Sequence, residues 1–118
     1  MRDEDRDADR LELILRLIDA IDRRLSVIEL DRFTTDEDEI DLTSFRLATI
    51  GEESNKLSQA LKDRHDLPWR AIYGLRNIVF HDYGTILPER IWITATEHLA
   101  MLADVCRKEL ARLEGKQA

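Results

Sequence analysis

Apolar residues recur along this chain at intervals of three and four, and those intervals predict helices. Leu11, Ile14, Leu15, Ile18, Ile21, Leu25 and Ile28 form one stripe, the mark of a helix with a single buried face. Asp7 or Asp9 is placed to cap its start. The periodicity stops over residues 31–41, where acidic side chains cluster, so this stretch reads as a solvated connection; its functional alternative is a docking strip for a basic partner. A second helix is expected over about 41–61, with Leu47, Ile50, Ser54, Leu57 and Leu61 on one face and Phe45 and Ala48 on another. Pro68 stands where a third helix should begin, running to His81, with Gly84 suited to a left-handed cap. Pro88 opens the last helix, whose stripe of Ile91, Trp92, Ala95, Leu99, Leu102, Val105, Cys106, Leu110 and Leu113 lasts to the end. Segments of this kind, with no internal repeat or linker between them, predict an all-α antiparallel four- to five-helix bundle. One domain should span residues 1–118, with 1–8 frayed.

Composition supports the same picture. Hydrophobic residues make up 43% of the chain and charged residues 36%, enough for one core under a highly charged surface. Only 4 Gly and 2 Pro occur, too little turn chemistry for a β-sandwich or barrel. The single cysteine, Cys106, excludes an intramolecular disulfide and falls on the apolar stripe of the last helix, where a buried thiol is expected. The opening MRDEDRDADR lacks the apolar core of a signal peptide, and no window approaches the roughly 20 apolar residues of a membrane span, so the expectation is a cytoplasmic protein without a membrane partner. The net charge of -7 argues against a broad, sequence-indifferent nucleic-acid interface. The charges are segregated, however. Residues 31–41 hold six acids and one arginine, whereas residues 56–81 hold Lys56, Lys62, Arg64, Arg70 and Arg76 against Asp63 and Asp66, a local +3. Any RNA contact should therefore be confined to a small cleft.

The third helix is where pattern and composition disagree. At 100° per residue Trp69, Ile72, Tyr73, Phe80 and Tyr83 share a face, and Arg76 falls in its middle. An arginine keeps its charge, so this one must find a carboxylate, reach water or line a cleft made for an anion. Glu52 and Glu53 are the candidate partners on the preceding helix. Asn77 and His81, four residues apart, stack along the flank beside Arg76. A fixed cation, an amide and a group that titrates near neutrality are suitable parts for phosphate chemistry: arginine holds phosphate oxygens while imidazole moves a proton. His65 and His98 show no metal-ligand spacing with each other or with Cys106, and no metal site is expected. Trp69, Tyr73 and Trp92 are expected in the core, with base stacking as the alternative. Gly51 and Gly74 should permit close helix packing.

Residues 74–84 read GLRNIVFHDYG. Arg76, Asn77, His81 and Tyr83 in this string resemble the Rx4HxY signature of the HEPN superfamily, in particular its HepT-like branch. The stretch IGEESNKLS over residues 50–58 is similar to that branch's second helix, and LPWRAIYGLRN, with Pro68, Trp69, Ile72 and Gly74, is similar to its approach to the motif; Trp92 also fits. Pro88 departs from the acidic cap more usual at the start of the last helix. The resemblance implies a homodimer whose two motifs line a shared cleft and which acts as the ribonuclease toxin of a type VII-like toxin–antitoxin pair. It implies that Arg76 binds the scissile phosphate, that His81 is the acid–base group, that Asn77 orients one of these, and that cleavage needs no metal or other cofactor. It implies further that Tyr83 accepts AMP from a minimal nucleotidyltransferase antitoxin. A non-catalytic nucleotide- or substrate-binding subunit of such a nucleotidyltransferase is the alternative reading of the same residues.

Overall fold

The computed structural model describes residues 2–80 and 87–117, and all regular structure among them is helical. The long helix α1 (Asp3–Leu25) buries Leu11, Ile14, Ile18, Ile21 and Leu25, the predicted stripe, as the centre of the core. Residues 3–8, where the sequence predicts fraying, form the first turns of α1. Neither Asp7 nor Asp9 caps them, since the N-cap position is Arg2. Asp7 is instead buried and reaches across the fold, accepting the backbone N–H of Ser58 at 2.9 Å and its hydroxyl at 2.5 Å.

Residues 31–41 are not a solvated connection. They hold a short helix α2 (Leu30–Thr35) and the start of α3 (Glu37–Asn55), the two separated by Asp36, whose carboxylate accepts the N–H groups of Asp38 and Glu39. One residue accounts for the difference: Phe33, a single aromatic among acids, is fully buried, with its ring centroid 5.2 Å from that of Trp92. An isolated anchor of this kind leaves no periodic trace.

The second predicted helix breaks after Asn55. Leu57 and Leu61 stay in the core, but Ser58 starts a new short helix α4 (Gln59–Asp63) by accepting the N–H of Leu61. The carbonyl ends of α3 are satisfied from outside: Lys62 donates to the carbonyl of Asn55 at 2.7 Å and Arg10 to that of Lys56 at 3.1 Å. The predicted third helix is likewise composite, with α5 (Trp69–Tyr73), a 3₁₀ turn (Gly74–Arg76) and α6 (Asn77–Phe80) following one another without a gap. Pro68 precedes α5 as its cap residue. The last predicted helix is two: α7 (Pro88–Glu97), with Pro88 in its first turn as expected, and α8 (Ala100–Gln117), separated at His98 and Leu99.

Ion pairs fix the directions of packing. Arg10 meets Glu53 and Arg24 meets Glu39, so α1 and α3 are antiparallel. Glu4 meets Lys116 and Asp19 meets Arg107, so α1 and α8 are antiparallel as well. The result is an all-helical bundle as predicted, with the short helices α2, α4, α5 and α6 inserted into its connections. Cys106 is fully buried, and burial, only partly offset by Arg107, pushes its thiol up to about 12. No described helix is long and apolar enough to cross a membrane.

Candidate active site and its setting

Gly51 on α3 sets the position of the motif segment. A Cβ at this residue would lie 2.8 Å from the carbonyl oxygen of Ile72 and 3.1 Å from both the backbone nitrogen of Arg76 and the Cβ of Leu75. Only glycine lets α3 approach the backbone of the 3₁₀ turn so closely. Gly74, paired with it in the sequence reading as a packing glycine, has open space where its Cβ would be. It lies at the junction of α5 and the 3₁₀ turn in ordinary helical conformation.

The 3₁₀ turn brings Arg76 over the residue three positions before it, because side chains three apart eclipse in this geometry. Arg76 Nη1 donates to the Tyr73 hydroxyl at 2.5 Å, and its guanidinium carbon lies 5.2 Å from the centre of the Tyr73 ring. Glu52 Oε2 is 3.4 Å from Arg76 Nε, and the two side chains are 40% and 33% exposed. An ion pair this wet is weak, on the order of 0–1 kcal/mol. The arginine is thus oriented by an aromatic ring and an exposed acid, while a third of its side chain faces water. Of the two acids nominated from sequence, Glu52 reaches Arg76 and Glu53 turns the other way, to Arg10 at 3.5 Å. Asn77 follows at the start of α6 and is exposed. His81 and Tyr83 lie outside the described residues.

Tyr73 is the neighbour that the sequence reading put elsewhere, in the core. Its spacing of three from Arg76 places it beside the arginine on the same face, in an α-helix as in the 3₁₀ turn. Trp69 is half-buried, and its indole N–H donates to the carbonyls of Lys62 and His65, an architectural role that ties α5 to the end of α4.

A second charged cluster lies around α8. Glu109 is 3% exposed and accepts from Arg64 at 2.7 and 3.2 Å and from Arg112 at 3.1 Å, with His65 Nε2 at 2.7 Å. Burial alone would raise its carboxyl, but the hydrogen bonds from Arg64, His65 and Arg112 outweigh that and bring it down to about 2. His65 thus packs its ring nitrogen against the Glu109 carboxylate. Among the described residues no group of three or more His, Cys, Asp or Glu side chains is arranged to hold a metal ion.

The described residues form an all-helical bundle in which Arg76 and Asn77 sit on consecutive short elements seated against α3 at Gly51. The family is specific: over residues 14–109 the chain matches the family model described as Ribonuclease HepT-like, and it belongs to the HepT-like ribonuclease family. No solved structure gives a significant match.

Proposed function

We propose that the protein is a toxin endoribonuclease that cleaves RNA through Arg76, Asn77 and His81 without a metal ion, in a cleft shared by two copies of the chain. The observation that carries this reading is Arg76, part-exposed on a turn held against α3 by Gly51, within a chain of the HepT-like ribonuclease family. Arg76 binds a non-bridging oxygen of the scissile phosphate, exchanging its weak pairing with Glu52 for a bidentate contact. His81 takes the proton of the ribose 2′-hydroxyl. The 2′-oxygen bonds to phosphorus as the bond to the 5′-oxygen breaks, and the leaving oxygen recovers a proton, giving a 2′,3′-cyclic phosphate and a 5′-hydroxyl. Arg76 stabilises the charge that grows on phosphorus-bound oxygen, and Asn77 orients the same group. Acid–base catalysis on an internal nucleophile suffices for this reaction.

Regulation follows from Tyr83. A minimal nucleotidyltransferase antitoxin transfers AMP to it from ATP: the tyrosine oxygen bonds to the α-phosphorus, pyrophosphate leaves, and the phenolic proton is released. A phosphodiester two residues from His81 then occupies the groups meant for substrate phosphate. Mass spectrometry after incubation with antitoxin, ATP and magnesium should show added AMP on the wild type and none on Tyr83→Phe. For the cleavage itself, RNA incubated with protein in EDTA should yield cyclic-phosphate ends with the wild type and none with His81→Ala. Equal cleavage by the two would remove His81 from the mechanism, and absence of cleavage by both would favour a non-catalytic binding subunit.

A further inference from the structure

At the far end of the α1–α3 seam from the Arg10–Glu53 pair lies an open cleft of about 530 Å³, lined by Arg23 and Arg24 of α1, Arg32 of α2, and Glu39 and Arg46 of α3. Its volume is in the range of ligand sites. Four arginines against one glutamate give it a formal +3, in a chain whose total is -7. Glu39 is already engaged: Arg24 grips it with two nitrogens at 2.6 to 3.0 Å, which joins the two helices. Arg23, Arg32 and Arg46 make no side-chain hydrogen bond or ion pair with any other described residue. Arg46 is also half-buried. Three guanidinium groups from three helices converging on one hollow, with their only acid neutralised, is the arrangement that binds phosphates.

We propose that this cleft is a second RNA-binding site, which holds backbone phosphates of the substrate away from the scissile bond. The inference rests on the ribonuclease reading above for the identity of the ligand. Two features favour a short single strand over a duplex. Asp36, Glu37 and Asp38 flank Arg32 on the neighbouring hollow and would repel a long rod of phosphates passing over them. Val27, 80% exposed on the wall of the cleft, offers an apolar surface on which an unpaired base can lie. The cleft and Arg76 sit on different flanks of α3. The rise from Arg46 to Glu52, the residue that touches Arg76, is about 9 Å along that helix, and passing around its flank adds about 10 Å more, a path that a few extended nucleotides span.

The test is binding of a fluorescent 2′-O-methyl oligoribonucleotide of about twelve residues, which lacks the nucleophile and so reports contact independently of cleavage. Each phosphate neutralised on a single strand contributes about 0.7 to the slope of log affinity against log salt. Arg23→Gln/Arg32→Gln/Arg46→Gln should lower that slope by about 2 while Arg24 keeps its hold on Glu39. Arg32→Gln alone, on an exposed side chain whose loss leaves the core intact, should lower it by about 0.7. Unchanged slopes in both variants overturn the proposal. So does displacement of the oligonucleotide from the cleft by ATP at concentrations below those at which the RNA itself binds, which would assign the site to a nucleotide. The outcomes stay separable: normal cleavage with unchanged slopes sinks this site and leaves the proposed function standing, and arginine-dependent binding without any cleavage does the reverse.

Discussion

Two of the arginine–carboxylate meetings in this bundle, at Glu109 and at Arg76, are built to opposite ends. Around Glu109 the acid is buried and its partners come to it: Arg64, His65 and Arg112 reach in from the end of α4, the turn after it and α8 itself, and every approach is between 2.7 and 3.2 Å. Around Arg76 the cation is the fixed member. It leans on Tyr73, and its acid Glu52 is 40% exposed, although the Arg76 Nε that faces the acid is itself buried. A buried carboxylate with all its lone pairs occupied locks elements together and has nothing left for a ligand. Arg76 is oriented in part by a ring and a part-exposed acid, and in the proposed mechanism a phosphate takes the place of that acid. The two meetings differ in which partner is the more buried: the acid at Glu109, the arginine at Arg76.

The contrast breaks most visibly at Arg76. Arg76→Ala should lower RNA cleavage by about a thousandfold, about 4 kcal/mol of transition-state stabilisation, while unfolding in urea shifts by about 1 kcal/mol or less. A stability loss as large as its activity loss would make Arg76 a structural residue after all.

Glu109→Ala should invert that pattern. Leaving two arginines and a histidine around an empty site costs about 3 kcal/mol of stability, and whatever activity remains should track the folded fraction. Its pH dependence carries a sign. The Glu109 carboxyl is depressed from 4.5 to about 2, so its contribution is complete above about pH 4.5 and is lost as pH falls toward 2, at most about 3 kcal/mol. Stability of wild type and Glu109→Gln measured from pH 7 to 2.5 should therefore converge at the acid end. A gap that stays constant over that range would show that the depression is absent.

The two glycines sharpen the comparison at the motif. Gly51→Ala pushes a methyl group to within 2.8 Å of the Ile72 carbonyl, which should cost about 2 kcal/mol and reduce cleavage beyond the loss of folded protein, since the 3₁₀ turn must move. Gly74→Ala meets nothing and should raise stability by about 0.5 kcal/mol through the unfolded state. Equal thermal shifts for the two would contradict the asymmetric packing of α3. The smallest effect belongs to Glu52→Gln, which should change stability by under about 1 kcal/mol and tighten binding of a non-cleavable oligonucleotide, since it removes the phosphate's competitor. Weaker binding would mean that Glu52 assists the ligand.

The sequence made the core of this bundle legible and hid its joints. The stripe from Leu11 to Leu25 is spaced by the helix it forms, and the structure buries it as read. The breaks after Asn55 and Glu97 were invisible because Leu57, Leu61, Leu99 and Leu102 keep helical spacing across them. What cuts the first is Ser58, held by Asp7 from far along the chain, and a local pattern carries no trace of such a partner. At the site, Arg76 stood out as a charge on an apolar face, and Glu52 was within reach of inference from its place on α3. Tyr73 shares a face with Arg76 in the sequence pattern, which does not say whether its ring packs into the core or against the guanidinium, and the gathering of Arg23, Arg32 and Arg46 depended on a helix, α2, that the acidic composition of residues 31–41 concealed.

The antiparallel pairing of α1 with α8 also bears on timing during synthesis. The chain's first helix has one of its principal partners in its last, so α1 leaves the ribosome with part of its apolar stripe uncovered and stays so until α8 follows. The segment carrying Arg76 and Asn77 is translated in between. Its framework of α3 and α1 is complete only once α8, made after it, covers α1, so the segment reaches its packed setting late rather than as it is made.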